Sequence, residues 1–411
     1  MVTMKFLNLF RANFIKGRGI LLCQIWGLVG LTVLTACARP AVPGPESAFR
    51  EITSTPVADD LDFDGLMHAI EAQRPVLQRT SETRMRFGPV TVTRGEYAKA
   101  LEELHHVLGH ASSTEEKIDF VRSRFRFFEI YGGKQWGEIL LTSYFEPIIS
   151  GSTVRTSSHS HPLYAKPTDL VTIDLKQFSE RFKGENALKG RLHDGKVLPY
   201  YTREEIDGGG VLKGRRLELC WVDLIEAFFL HIQGSGTVRL EDGSEVFITY
   251  ADKNGRKYEA IGKFLKERIA PKKITMQRVE AALREMPEHE RNELLYRNPS
   301  YVFFNKSPQR AITALGVPAT PGRTIAADPK YAPKGALALL SFSKPVLSDE
   351  SEDTGDPLRE VEITRLVLDQ DSGGAITGTD RVDLFWGRGD EAKCYAGIIQ
   401  HPARIVYLVP R

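Results

Sequence analysis

The stretch DQDSGGAITGTDRVDLFWGRGDEA, Asp369 to Ala392, decides how the rest of this chain is read. The apolar pair Val367-Leu368 ahead of it reads as the end of a strand, which delivers Asp371 into the glycine-rich turn Ser372 to Gly378. Asp380, Asp383 and the turn Phe385-Trp-Gly-Arg-Gly389 follow. Glycines beside acids remove the side chains that would hold a bulky ligand away. Two acids a hairpin apart would face one another, and mutual repulsion with partial burial would keep one protonated near neutral pH, as a general acid must be. The plainer reading is a hairpin of solvated turn acids, and spacing alone favours it.

Working outward, the N-terminus places the chain in the cell. The first thirty-six residues hold Lys5, Arg11, Lys16 and Arg18 and no acid, and an apolar run from Ile20 to Leu34 follows the charges. This reads as a secretory signal rather than a domain. The run is short for a spanning helix and is interrupted by Gln24. It ends in Leu34-Thr-Ala-Cys37, which resembles a bacterial lipobox with Cys37 as the lipidated first residue of the mature chain. The Pro-rich segment that follows reads as part of a flexible linker over residues 37–62, letting a folded body stand off the membrane. Uncharged Ala38 resembles the outer-membrane sorting signal, so the expectation is an outer-membrane lipoprotein facing the periplasm.

The whole chain carries 55 Lys and Arg against 53 Asp and Glu, and the signal holds four of those cations, so the mature chain is close to neutral. So balanced a surface argues against nucleic acid as a partner. Besides the lipidated Cys37, Cys220 and Cys394 remain after the signal, and spacing leaves open whether they pair or stay as buried thiols.

Helices open the folded part. Thr93-Arg-Gly-Glu96 and Ser113-Thr-Glu-Glu116 read as capping boxes. Behind them Tyr97, Leu101, Leu104 and Leu108, then Ile118, Val121, Phe125 and Phe128, recur at helical spacing and predict core faces. A weaker helix over Phe63 to Leu77 is expected to break near Pro75. From Glu138 the pattern turns to short apolar runs between Gly, Pro, Asn and Asp, including Ile139-Leu-Leu141, Phe228-Phe-Leu230 and Val246-Phe-Ile248, which predict strands. A helical block from Met276 to Tyr296 is interrupted by Pro287 and stopped by Asn298-Pro299. Strands return at Leu337 to Leu340, Val361 to Leu368 and Arg404 to Val409.

Other candidate sites are weaker. His106 and His110 have zinc-compatible helical spacing but lack the Glu of a zinc protease, and His159-Ser-His161 has no third ligand nearby, so no metal site is expected. Gly234-Ser-Gly236 lacks the pattern of a nucleophile elbow. In Trp221 to Gly236, an apolar segment read as a strand carries Gln233 into a glycine-flanked turn that a ligand could approach closely, with a structural turn as the plainer alternative.

Taken in order, several motifs make a succession. They are Leu141-Thr-Ser-Tyr-Phe-Glu-Pro147, Pro162-Leu-Tyr-Ala-Lys-Pro167, the Phe228 to Gly236 run and Tyr250-Ala-Asp-Lys-Asn-Gly-Arg-Lys-Tyr258. Asn298-Pro-Ser-Tyr-Val-Phe-Phe304, Leu315-Gly-Val-Pro-Ala-Thr-Pro-Gly-Arg323 and the opening stretch complete it. Together they resemble the membrane-bound lytic murein transglycosylase A family over most of the chain beyond Gly137. The resemblance implies a mainly β protein with N-terminal helices: a double-psi β-barrel built from residues 63–147 and 298–411, with a smaller β-domain, 148–297, inserted as the other wall of a glycan groove. It implies a three-aspartate module at Asp328, Asp371 and Asp383, with Asp383 the catalytic acid/base and Asp371 its tuning neighbour. Substrate-binding positions are implied at Thr142, Tyr144, Glu146, Gln233, Gly234, Ser235, Asp328, Gly373, Gly374 and Trp386. Three positions depart from the pattern: Ser143 stands for a usual Gly, Asp223-Leu224 for Asp-Pro, and Thr377 for a Lys.

The implied reaction cleaves the β-1,4 bond between MurNAc and GlcNAc in peptidoglycan and leaves a 1,6-anhydro ring on muramic acid, with no cofactor and no metal. One carboxylate suffices because its acid and base steps are sequential, unlike the paired carboxylates of ordinary glycosidases. Two alternatives use the same groove: a non-catalytic peptidoglycan-binding lipoprotein, and a murein glycosidase that uses water. Proteins of cell-wall synthesis or turnover are the expected protein partners.

Overall fold

The computed structural model describes residues 44–133, 135–182, 187–269, 273–310, 312–348, 351 and 355–411. The expected signal, residues 1–36, and Cys37 lie outside the described residues. Among those described, no helix is long and apolar enough to cross a membrane.

Strand β1 (Phe49–Ile52) precedes helix α1 (Leu66–Arg79), and the hairpin β2 (Arg84–Phe87) and β3 (Val90–Thr93) leads into α2 (Arg94–His110) and α3 (Thr114–Arg124). The Thr93 box forms as expected: Thr93 Oγ1 accepts from Glu96 N at 3.1 Å, and Glu96 Oε2 accepts from Thr93 N at 2.7 Å. At α3 only half of the box forms, because Glu116 Oε2 accepts from Ser112 N at 2.9 Å rather than from Ser113 N. Helix α1 runs through Pro75 instead of breaking there. The carbonyl that Pro75 leaves without a donor belongs to Glu71, and both residues are exposed, so water can satisfy it.

Strands β4 (Phe125–Ile130) and β5 (Glu138–Glu146) follow α3. Phe125 and Phe128 are therefore strand residues, not the end of a helix; they are buried as expected, but the helical spacing was fortuitous. Later in the chain come β15 (Thr324–Ala326), β16 (Ala336–Val346), β17 (Arg359–Asp371), β18 (Arg381–Arg388) and β19 (Gln400–Pro410). Their order in the sheet is β1-β4-β19-β16-β17-β15-β18-β5, and β5 also pairs with β19, which closes a ring of strands into a barrel. Leu337, Leu339, Leu366, Leu368, Leu384 and Ile405 fill its core, with α1 and α2 packed on the same cluster.

The expected linker is not all linker. Phe49–Ile52 pairs with β4, and Asp59 is fully buried against fully buried Arg323, with Arg323 Nη1 donating to Asp59 Oδ2 at 2.6 Å and Nη2 to Oδ1 at 2.8 Å. Such a buried, bidentate pair anchors the segment to the barrel.

A second sheet, ordered β14-β13-β12-β6-β11-β7, uses β6 (Ile148–Ser152), β7 (His161–Tyr164), β11 (Glu218–Val222), β12 (Gly236–Leu240), β13 (Glu245–Lys253) and β14 (Val302–Ser307). A small three-stranded sheet holds β8 (Val171–Ile173), β9 (Leu188–His193) and β10 (Lys196–Pro199). Phe228-Phe-Leu230, expected as strand, lies instead in helix α4 (Leu224–Gln233). Asp223 caps it by accepting from Ile225 N at 3.0 Å and Glu226 N at 3.1 Å, and Gly234 ends it at φ 82°. A short apolar run buried between layers carries no clear period, which is why it misread. Helices α5 (Lys266–Ile269), α6 (Met276–Glu285) and α7 (Glu288–Tyr296) follow, with the break at Pro287 where expected. Cys220 and Cys394 are both buried and no disulfide joins them; Cys394 Sγ donates to Ser351 O at 3.3 Å.

Candidate active site

The two acids of the opening stretch do not face each other across a hairpin. Strand β15 is wedged between β17 and β18, with Ala326 opposite both Asp371 and Asp383. On its other side Asp383 lies opposite Thr142 of β5. Asp383 thus sits inside a sheet, on strands that arrive from three distant parts of the chain, and its side chain is only 13% exposed.

Its contacts are polar and close. Thr142 Oγ1 donates to Asp383 Oδ1. Arg381 Nε donates to the same oxygen at 2.9 Å and Nη2 to Oδ2 at 3.1 Å, while Nε also reaches Thr142 Oγ1 at 3.0 Å. Arg381 is two residues before Asp383 on one strand, hence on the same face. Period two was the signal in the sequence that would have singled it out.

Asp371 is held differently. Tyr144 Oη donates to its Oδ2 at 2.8 Å, and the backbone N–H groups of Ala314 and Ser372 donate to Oδ1 at 2.9 and 2.8 Å. Burial, then the charge of Asp371, push the Tyr144 phenol well above its usual range, so it acts as a donor. The Tyr144 ring also packs on Phe385, centroids 5.1 Å apart. Asp328 fastens the far end of the glycine loop: its Oδ2 accepts from Gly378 N at 2.8 Å and its Oδ1 from Lys330 N at 2.9 Å. Inside the barrel Asp369 is pushed up to about 6, chiefly by complete burial. It accepts from Lys334 Nζ at 2.5 Å and Tyr407 Oη at 2.9 Å inside the barrel, where it is structural.

The second sheet meets this face through the other expected residues. Gln233 Oε1 accepts from Phe145 N at 3.2 Å, and Glu146 Oε1 accepts from Thr237 Oγ1 at 2.7 Å. Gly234 and Ser235, half-buried, form the turn after α4. Gly373 and Gly374 lie in the loop after Asp371, and a Cβ on Gly374 would stand 3.1 Å from Lys253 Nζ of β13. Trp386 turns the other way: its Nε1 donates to Ser143 Oγ at 2.9 Å, its ring stacks on Tyr395 at 4.3 Å, and it packs on the barrel core. Ser143, where the pattern usually has Gly, thus provides that indole with its acceptor.

Known proteins resemble the chain in both parts. Residues 140–305 match the family model described as the MltA specific insert domain, and residues 323–409 match the 3D domain. The chain is 31% identical over 284 residues to membrane-bound lytic murein transglycosylase A of Escherichia coli K12, covering 68% of this chain and 67% of that protein. It is 29% identical over 282 residues to the Vibrio cholerae protein of the same name, 67% of each. Among solved structures, a membrane-bound lytic murein transglycosylase from Agrobacterium tumefaciens superposes with a TM-score of 0.70 at 28% identity, over 89% of this chain and 98% of that one. E. coli MltA with bound chitohexaose gives 0.66 at 23% identity, over 89% and 95%, a likeness of fold.

Proposed function

The chain belongs to the membrane-bound lytic murein transglycosylase A family, and from that premise we propose that it cleaves the β-1,4 bond between MurNAc and GlcNAc in peptidoglycan, closing a 1,6-anhydro ring. The observation that carries the reading is the placement of Asp383, a little-exposed carboxyl between Thr142 and Arg381 beside a glycine loop. Protonated, Asp383 gives its proton to the glycosidic oxygen as the C1–O bond breaks. As a carboxylate it then takes the proton of the muramyl C6 hydroxyl, whose oxygen bonds to C1, so the proton count returns to its start. The contacts with Arg381 and Thr142 suit the ionised half of that cycle. Asp371, with three donors of its own, acts by position and charge rather than as a second acid.

We further propose that the closed barrel is of double-psi type and that the second sheet is an inserted domain forming the opposite groove wall. Supporting this, every strand of that sheet falls between β5 and β15 in the chain. Because β14 (Val302–Ser307) belongs to it, the return to the barrel would come after Ser307 rather than at 298. Lipidation at Cys37 and residence at the outer membrane, facing the periplasm, complete the proposal; the term membrane-bound in the relatives' names agrees with it.

The test is to digest purified sacculi with the protein and weigh the muropeptides. Anhydromuropeptides are expected. Products carrying only free reducing ends would mean a hydrolase, and binding without product would mean a non-catalytic wall protein.

A further inference from the structure

Lys253 ends β13 on the wall opposite the aspartates, half-buried, with its Nζ over the loop that follows Asp371. Among the described residues it makes no ion pair and no side-chain hydrogen bond. The carboxylate beside it in sequence, Asp252, is buried and already holds Lys166 and Lys189, each at 2.8 Å. The oxygens of Asp371 are taken by Tyr144, Ala314 and Ser372. The loop Asp371 to Gly378 has no cation of its own, with Thr377 near its end. Of Lys166, Lys189 and Lys253, only Lys253 has no counter-ion among the described residues.

A half-buried ammonium without a partner has lost part of its hydration and regains free energy when an anion arrives. The sugars of a murein strand are neutral in their hydroxyl and acetamide groups; its anions are the carboxylates of the peptide attached to the muramyl lactyl group. A Cβ on Gly374 would stand 3.1 Å from the Nζ, so the glycine is what lets the loop backbone and the ammonium lie this close together. Resting on the transglycosylase reading above, we propose that Lys253 is a specificity-determining residue that receives a carboxylate of the peptide substituent and so favours peptide-bearing glycan over bare glycan.

The experiment compares the full-length protein with Lys253→Gln and Lys253→Arg on two substrates: intact sacculi, and glycan strands stripped of peptide by an amidase with the lactyl carboxylates this exposes capped as neutral methylamides. In Lys253→Gln, KM on the peptide-bearing substrate is expected to rise about two- to fivefold, the loss of one partly screened ion pair. kcat should hold, stripped glycan should be used as before, and Lys253→Arg should restore most of the KM. An equal effect on both substrates, or none on either, overturns the proposal. Co-sedimentation of the same variants with both substrates reads binding without turnover. A wild-type protein that makes no anhydro product would thus remove the transglycosylase reading, while the difference in binding still decides the role of Lys253.

Discussion

Asp371 and Asp383 lie on the two strands that flank Ala326, both in register with it. Two strand spacings, about 9–10 Å between backbones, separate them. Each has its own donors: the guanidinium of Arg381 and the hydroxyl of Thr142 on Asp383, the phenol of Tyr144 and two backbone N–H groups on Asp371. They are held separately rather than as a hydrogen-bonded pair, and the proposed mechanism divides the chemistry unequally between them.

Asp383→Asn is expected to lower anhydro-product formation by roughly 10²–10⁴-fold while leaving the fold and glycan binding in place. Asparagine fits the site but cannot give a proton and take one back. Product assay and thermal melting are read together, and turnover near the wild-type rate in a folded variant would remove Asp383 from the mechanism.

Asp371→Asn should be milder. It sets an NH₂ group among three donors, loosening Tyr144 and the loop at Ala314 and Ser372 without removing the acid. Complete loss of product in this variant, with Asp383→Asn still active, would transfer the acid to position 371.

Asp369→Ala should destabilise the barrel by about 3–5 kcal/mol, because it leaves Lys334 buried without its partner. Lys334→Met in addition should recover part of that loss. Denaturant midpoints at constant slope measure both, and a single variant as stable as wild type would show that the pair contributes little.

Glu226, in the first turn of α4, is raised from 4.5 to about 7, first by burial and then by Asp223, with Arg284 opposing. A carboxyl raised on folding contributes stability that is complete below its unfolded value near 4.5 and lost as pH rises through 7. Glu226→Gln should therefore be the more stable protein at pH 8, by roughly 1 kcal/mol or less given the partial exposure of the group. The difference should vanish below pH 4.5. Melting curves across this range check it, and a variant less stable at pH 8 would contradict the sign.

Cys37→Ser should release the protein from membranes with its folded body still active, since the Pro-rich stretch separates the lipobox from β1. Cell fractionation reads the outcome. Tight membrane association that survives the change would point to another anchor.

What the sequence determined by itself was local or carried by motif. The box at Thr93 and Glu96, the buried face of α2 and the break at Pro287 depend on residues within a turn or two of each other, so they were legible. The order of motifs was enough to mark the family and to name Asp328, Asp371 and Asp383. The tertiary structure alone decided which groups surround those acids. Phe228 and Leu230, and Phe125, Phe127 and Phe128, are buried whatever their secondary structure, so hydrophobicity could not tell helix from strand. Asp59 with Arg323, Thr142 with Asp383 and Lys253 beside Gly374 join residues more than a hundred positions apart. Such contacts form only when β15 is inserted between β17 and β18 and the barrel closes through β5, an outcome of cooperative packing that leaves no period or spacing in any short stretch of the chain.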